Sequence, residues 1–295
     1  MKARPNPPKS ARILTQWVDR SARAKGRAPG RVRSWVSFEA IVGSLRRAGV
    51  ARTGGPKFTV KGGVAMELRL GDRARATKDL DLILDSEGTD ALQELAVALE
   101  APYEGFTFLI KGEPHLMPNG AVRVEVAIRY RGSSWDTVPV DISRREGESI
   151  DVELVPVTLL AEFGLRSPDS IPCLPLAYQA AQKIHALTEP HTQERPNNRF
   201  RDLVDLLLLR PDIPELHGLR TACHAVFSFR GTHPWPPFVE AHEHWIAPFG
   251  AMARNFGLYV TDLHQAVIEA REFLHAIDAA SPLSLQASEP IQWIE

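Results

Sequence analysis

Apolar positions recur at helical spacing in two stretches near the start of the chain. Ile13, Leu14, Trp17 and Val18 mark a helix from Lys9 to about Lys25. Phe38, Ile41, Val42 and Leu45 mark another from Ser34 or Ser37 to Ala48, with Gly26 and Pro29-Gly30 breaking the pattern between them. The period then changes. Phe58-Thr59-Val60 is a short β-rich run that meets Gly62-Gly63, followed by a short helical pattern to Gly71 and an apolar strand, Leu82-Ile83-Leu84. Thr89 is placed to cap a helix reaching about Glu100 along Leu92, Leu95, Ala96 and Leu99. Strands are predicted at 106–111, 122–130 and 137–143; Pro139 argues that the last is not paired on both sides throughout. From Val157 the patterns turn helical, near 157–164, 175–189, 199–210, 216–228, 237–254 and 261–279, with proline-rich connectors and an irregular tail of about fifteen residues. The fold class expected is an α/β core, a mixed sheet with flanking helices, plus an α-helical C-terminal subdomain. The expected divisions are 1–35, 36–156 and 157–295.

Composition changes this picture little, and charge changes it more. A chain of 295 residues, 44% hydrophobic and 24% charged, suits a globular protein with a sizeable core. No apolar run reaches membrane-span length and no signal peptide is evident, so a cytoplasmic location without membrane partners is expected. Cys173 and Cys223 lack zinc-ligand spacing and read as reduced thiols. The formal charge of −1 conceals an asymmetry. Residues 1–35 carry ten basic residues against Asp19 alone, which leaves −10 on the remainder. Such a leader would attract a polyanion such as RNA, or dock on the acidic body of its own chain.

The candidate chemistry starts at 58–84. Glycines at a strand-to-helix turn let backbone approach a ligand, and a helix start offers N–H groups to an anion; Lys61, Gly62 and Gly63 occupy that turn. Asp79 and Asp81, at i and i+2, share a strand face and suit divalent metal, although each feature alone is common as plain structure. Asp141, within the apolar run Val138–Ile142, is either a third carboxylate ligand or a strand-end residue bonded to a turn. Glu125, on the solvent-side parity of its strand, reads as structural. Further on, Lys183 borders the alanine-rich face of one predicted helix. Arg199, Asp202 and Asp205 follow on another, where Asp205 lies among leucines and needs a partner. Lys183–Asp205 is thus either a structural pair or a pair in which Lys183 reaches triphosphate oxygens. His233, His242 and His244 are too irregularly spaced for a zinc reading.

Lys61-Gly62-Gly63 with Lys78-Asp79-Leu80-Asp81, the Val140–Ser143 strand, Gln182-Lys183 and Asn197–Leu206 together resemble the AbiEii/MenT branch of the nucleotidyltransferase superfamily, over roughly residues 55–210. The resemblance implies a nucleotidyltransferase core and a toxin of a type IV-like toxin–antitoxin pair. It implies transfer of nucleotides from a nucleoside triphosphate to the 3′ end of tRNA, which blocks aminoacylation. Asp79, Asp81, Lys183 and Asp205 would be catalytic. Gly62, Gly63, Lys61, Arg199 and Asp202 would bind substrate, and Asp79, Asp81 and Asp141 would hold Mg²⁺, or Mn²⁺ in its place. A site in the cleft between the two halves, and an AbiEi-like antitoxin encoded nearby, are further expectations. Arg73, Arg75 and Lys78 are phosphate or RNA contacts or plain surface charges, and Thr77 is a regulatory hydroxyl or a loop cap. The competing readings are nucleotidylation of a protein hydroxyl and a non-catalytic nucleotide- or partner-binding module.

Overall fold

The computed structural model describes residues 6–51, 54–85, 90–117, 120–146, 152–191 and 196–281. The chain divides into two compact units, Met1–Gln179 and Ala180–Glu295.

Unit 1 opens with α1 (Ala11–Ala24) and α2 (Pro29–Leu45). Ser10 caps α1, accepting from the Ile13 amide at 3.3 Å. Helix α2 begins at Pro29, where the sequence pattern suggested a break. A proline at the first helical position loses no intrahelical hydrogen bond and already has helical φ. Every residue of α2 from Val36 to Leu45 is buried, so it is a core helix. Gly43 makes this packing feasible, since a Cβ there would lie 2.4 Å from the Tyr103 ring.

The sheet is built from β1 (Phe58–Lys61), β2 (Leu80–Leu84), β3 (Phe106–Leu116), β4 (Val122–Tyr130), β5 (Ser133–Arg144), β6 (Glu153–Pro156) and β7 (Ser170–Cys173), in the order β3-β4-β5-β2-β1-β7-β6. Helix α3 (Gly62–Leu70) leaves β1 directly. Helix α4 (Ala91–Leu99) follows β2, and the short α5 (Leu159–Glu162) precedes β7. The cap of α4 is Asp90, which accepts from the Leu92 amide at 2.9 Å; Thr89 lies outside the described residues. The β2–β5 and β1–β7 pairings are parallel and the other four antiparallel. Pro139 faces Glu125 of β4, while pairing of β5 with β2 begins only at Val140, so the missing N–H falls outside the doubly paired stretch.

Two strands were hidden in the pattern. β6 and β7 have four residues each, too few to show a period, and both complete the sheet. The first compact unit thus runs beyond β7 to Gln179. The basic stretch at 1–35 is also part of unit 1. Lys25 pairs with Glu162, and Arg27 forks onto Asp72 at 2.7–3.0 Å. Arg31 bonds Glu67 and the carbonyls of Gly71 and Ala74, and Arg33 bonds the Trp135 carbonyl. Much of the leader's charge thus docks on the same unit.

Unit 2 takes up most of α6 (Leu176–Leu187) and then α7 (Phe200–Leu209), α8 (Leu216–Arg230), α9 (Ile246–Asn255) and α10 (Leu263–Asp278). The helix expected from residue 237 starts only at Ile246, after a 3-10 turn at Glu243–Trp245. Pro234, Pro236 and Pro237 hold the preceding backbone out of the helical region. Among the described residues no helix is long and apolar enough to cross a membrane.

Glu39 on α2 is buried and accepts from the amides of Leu159 and Leu160 and from the Ser167 hydroxyl. Burial nevertheless pushes its pKa from 4.5 up to about 6. Between those values the folded chain holds a proton that the unfolded chain releases. This contribution to stability is complete below the lower value and falls by about 2 kcal/mol as pH rises through the window. Urea unfolding from pH 4 to 7.5 should show that decline, and Glu39→Gln should remove it.

Candidate active site

Strand register assembles one polar row across the sheet. Lys61 pairs with Asp81, Asp81 with Asp141, Asp141 with Arg123, and Arg123 with His115. Residues directly opposite one another on neighbouring strands share a face, so this row gathers side chains from β1, β2, β5, β4 and β3. Asp79 joins from the residue before β2. The Arg123 guanidinium grips both oxygens of Asp141 at 2.6 Å and reaches Asp79 Oδ2 at 3.4 Å. The hydrogen bonds to Asp141, and the negative charges of Asp141, Asp79 and Asp81, push the Arg123 pKa upward. Thr77, buried, donates from Oγ1 to Asp79 Oδ1 at 2.6 Å and so acts as an orienting cap.

The glycine turn abuts this row. Gly62 has φ +63°, and a Cβ there would lie 2.0 Å from Asp81 Oδ2; one on Gly63 would lie 2.6 Å from Thr77. Both glycines are required by the closeness of β2 and its approach loop to the start of α3. The Gly62 carbonyl accepts from Gln179 Nε2 at 2.8 Å. Arg69 in turn holds Gln179 Oε1, Glu153 Oε2 and the Leu174 carbonyl at 2.5–2.7 Å. Arg123, Arg69 and Gln179 escaped the sequence reading because each acts through a partner 18 to 117 residues away. Arg73 and Lys78 are exposed and Arg75 is half-buried.

The carboxylates offer the oxygen-only donors of a hard divalent cation such as Mg²⁺, but Asp79, Asp81 and Asp141 do not bring one oxygen each within 4.8 Å of one another. Asp141 differs from the other two in having both oxygens engaged by Arg123.

In unit 2, Lys183 of α6 lies between two acids of α7. Its Nζ is 2.6 Å from Asp205 Oδ2 and 3.2 Å from Asp202 Oδ1. Asp205 is fully buried and Lys183 nearly so, whereas the Arg199 side chain is 56% exposed and only 3.8 Å from Asp202. Asn197, which precedes α7, is a buried tie. Its amide donates to the Leu187 carbonyl at 3.0 Å, and its own backbone carbonyl accepts from Trp245 Nε1 at 2.6 Å.

A mixed sheet with acidic residues beside a glycine-led helix start, followed by a helical subdomain, defines an α/β nucleotidyltransferase core. The chain belongs to the family described as nucleotidyl transferase AbiEii toxin of type IV toxin–antitoxin systems, whose model matches residues 44–280. It is a nucleotidyltransferase toxin. Among solved structures, it is similar to the nucleotidyltransferase toxin MenT4 of Mycobacterium tuberculosis H37Rv. The TM-score is 0.56 and the identity 17%, over 91% of this chain and 90% of that one, which is a likeness of fold. An antigenic nucleotidyltransferase-like protein from Paracoccidioides brasiliensis aligns with a TM-score of 0.37 and 16% identity, over 59% of this chain and 80% of that one. No curated protein matches the sequence.

Removing one member of a buried ion pair strands the other, at a cost of about 3–5 kcal/mol. Lys183→Met should therefore destabilise the fold by roughly that amount in urea unfolding, and the double change Lys183→Met with Asp205→Leu should recover most of the loss. Gly62→Ala should act differently, displacing Asp81 and depressing catalysis more than stability; parallel assays of turnover and thermal midpoint separate the two effects.

Proposed function

We propose that this toxin transfers nucleotides from a nucleoside triphosphate to the 3′ acceptor end of tRNA, which blocks aminoacylation and so translation. The observation that carries the reading is the in-register row Lys61, Asp81, Asp141 and Arg123, with Asp79 beside it, at the glycine-led start of α3. The terminal hydroxyl oxygen attacks the α-phosphorus, a new P–O bond forms, the α–β bridging bond breaks and pyrophosphate leaves. Asp79 and Asp81, with Asp141 as a proposed third carboxylate, would hold Mg²⁺ or Mn²⁺, which when bound would neutralise charge on the departing pyrophosphate and acidify the attacking hydroxyl.

The chain's own groups do the remainder. The amides of Gly62 and Gly63 receive phosphate oxygens at the helix start, with Lys61 beside them. Thr77 aims Asp79, and Arg123 offsets the charge the acids place on one another. Lys183, held in its rotamer by Asp205 and Asp202, is the cation that unit 2 would offer to phosphate oxygens. Arg12, Arg20 and Arg23 are exposed on one stripe of α1, spaced by eight and three residues, and a basic stripe of this kind attracts RNA. The expected partner is an AbiEi-like antitoxin encoded nearby.

Incubating the full chain with total RNA, Mg²⁺ and each labelled triphosphate in turn, then sequencing RNA 3′ ends, tests the reading. Label should enter tRNA ends, and Asp79→Asn or Asp81→Asn should lower it about 100-fold or more with an unchanged thermal midpoint. Lys183→Arg, which keeps the buried charge, tests the lysine without stranding Asp205. Transfer that survives Asp79→Asn would sink the site, and label found in protein bands and never in RNA would replace the acceptor by a protein hydroxyl.

A further inference from the structure

Unit 2 holds a group of ligating side chains that the transferase reading does not use. His191 follows Pro190 just beyond α6, while Glu240 and His242 sit two apart in the segment before the Glu243–Trp245 turn. One ligand atom from each of the three lies within 4.8 Å of the other two, and this is the one such His, Cys, Asp or Glu group among the described residues. The rings of His191 and His242 meet edge-on, with centroids 4.5 Å apart. His191 and Glu240 are exposed and His242 is half-buried, so an ion can reach them from solvent. With Leu187, Asn197 and Phe238 they line a cavity of about 280 Å³.

The two segments are brought together by contacts independent of these side chains. The Asn197 amide donates to the carbonyls of Leu187 at 3.0 Å and Glu189 at 3.4 Å. Its backbone carbonyl accepts from Trp245 Nε1 at 2.6 Å and from His244 Nε2 at 2.8 Å. The His242 ring also rests on the edge of Trp245, with centroids 4.5 Å apart. Ligands held in place by such a supporting layer lose little freedom when an ion binds. His244 and His233 are engaged elsewhere: His244 by the Asn197 carbonyl, and His233 by the hydroxyls of Thr188 and Thr232.

We propose that His191, Glu240 and His242 bind a divalent transition-metal ion of the zinc class, which clips the segment after α6 to the segment before α9. Two imidazoles and one carboxylate are a donor set for zinc and its borderline neighbours, and leave a fourth position for water. Magnesium, which demands near-octahedral oxygen, is a poor match. The proposal does not depend on the identity of the nucleotide acceptor.

The test uses untagged, metal-stripped full chain in excess Mg²⁺. Zn²⁺ is titrated against a chromophoric chelator, and Co²⁺ is followed by its visible absorption. One equivalent should bind, with the intense bands of four-coordinate cobalt, and Zn²⁺ should raise the thermal midpoint. His191→Ala and Glu240→Gln, both at exposed positions, should each weaken binding about tenfold or more and abolish the midpoint shift. Asp79→Asn with Asp81→Asn should leave all three readouts intact. Absence of stoichiometric binding, binding indifferent to both exposed substitutions, or loss in the Asp79/Asp81 variant would each overturn the proposal.

Discussion

A slip of one residue in the pairing of β4, β5, β2 or β1 would turn Arg123, Asp141, Asp81 or Lys61 to the opposite face of the sheet. The candidate site of unit 1 depends on that register more than on any single bond. What holds it is the apolar alternation around the polar row. Leu80, Leu82, Val140, Ile142, Val124 and Val126 are buried on the same strands, and shifting any of them would expose core. The carboxylates are therefore carried at fixed positions by strands whose stability comes from hydrophobic burial, and their mutual repulsion is offset locally by Arg123.

The same division of labour governs the charged residues elsewhere. Lys25, Arg27, Arg31 and Arg33 spend their charge on Glu162, Asp72, Glu67 and backbone carbonyls of unit 1. Arg31, by holding the carbonyls of Gly71 and Ala74, also steadies the loop that leads to Thr77 and Asp79. In unit 2, Lys183 carries both a structural and a proposed chemical duty. Its contact with Asp205 satisfies a fully buried acid, and a second contact reaches Asp202. A lysine so held is preorganised, and for the same reason it cannot be deleted without disturbing the fold.

Two donor sets of different chemistry follow. The carboxylates of the sheet offer oxygen alone, while His191, Glu240 and His242 offer two nitrogens and an oxygen. The first accompanies the Gly62-Gly63 turn. The second lies on two segments, one after α6 and one before α9. By ligand type, the first set would favour a hard ion and the second a borderline one.

Local chemistry made much of this legible. The change of hydrophobic period marked β1, β2, β4 and most helices, because each buries a face whose repeat is set by its own backbone geometry. The close approach at Gly62-Gly63 and the Lys183–Asp205 pair were readable for a similar reason: a tight strand-to-helix turn and a buried acid each impose a demand visible in a few neighbouring residues. Pro29 misled because the same missing N–H that breaks a helix interior is harmless at its first position. β6 and β7 were too short to show a period, and Arg123, Arg69 and Gln179 have value only through distant partners. His191 lies 49 residues before Glu240, so no spacing rule joins them. The chain's local patterns specified the elements and the types of chemistry, whereas strand register and the Asn197 tie chose which side chains meet, because those meetings are set by long-range packing rather than by neighbours in sequence.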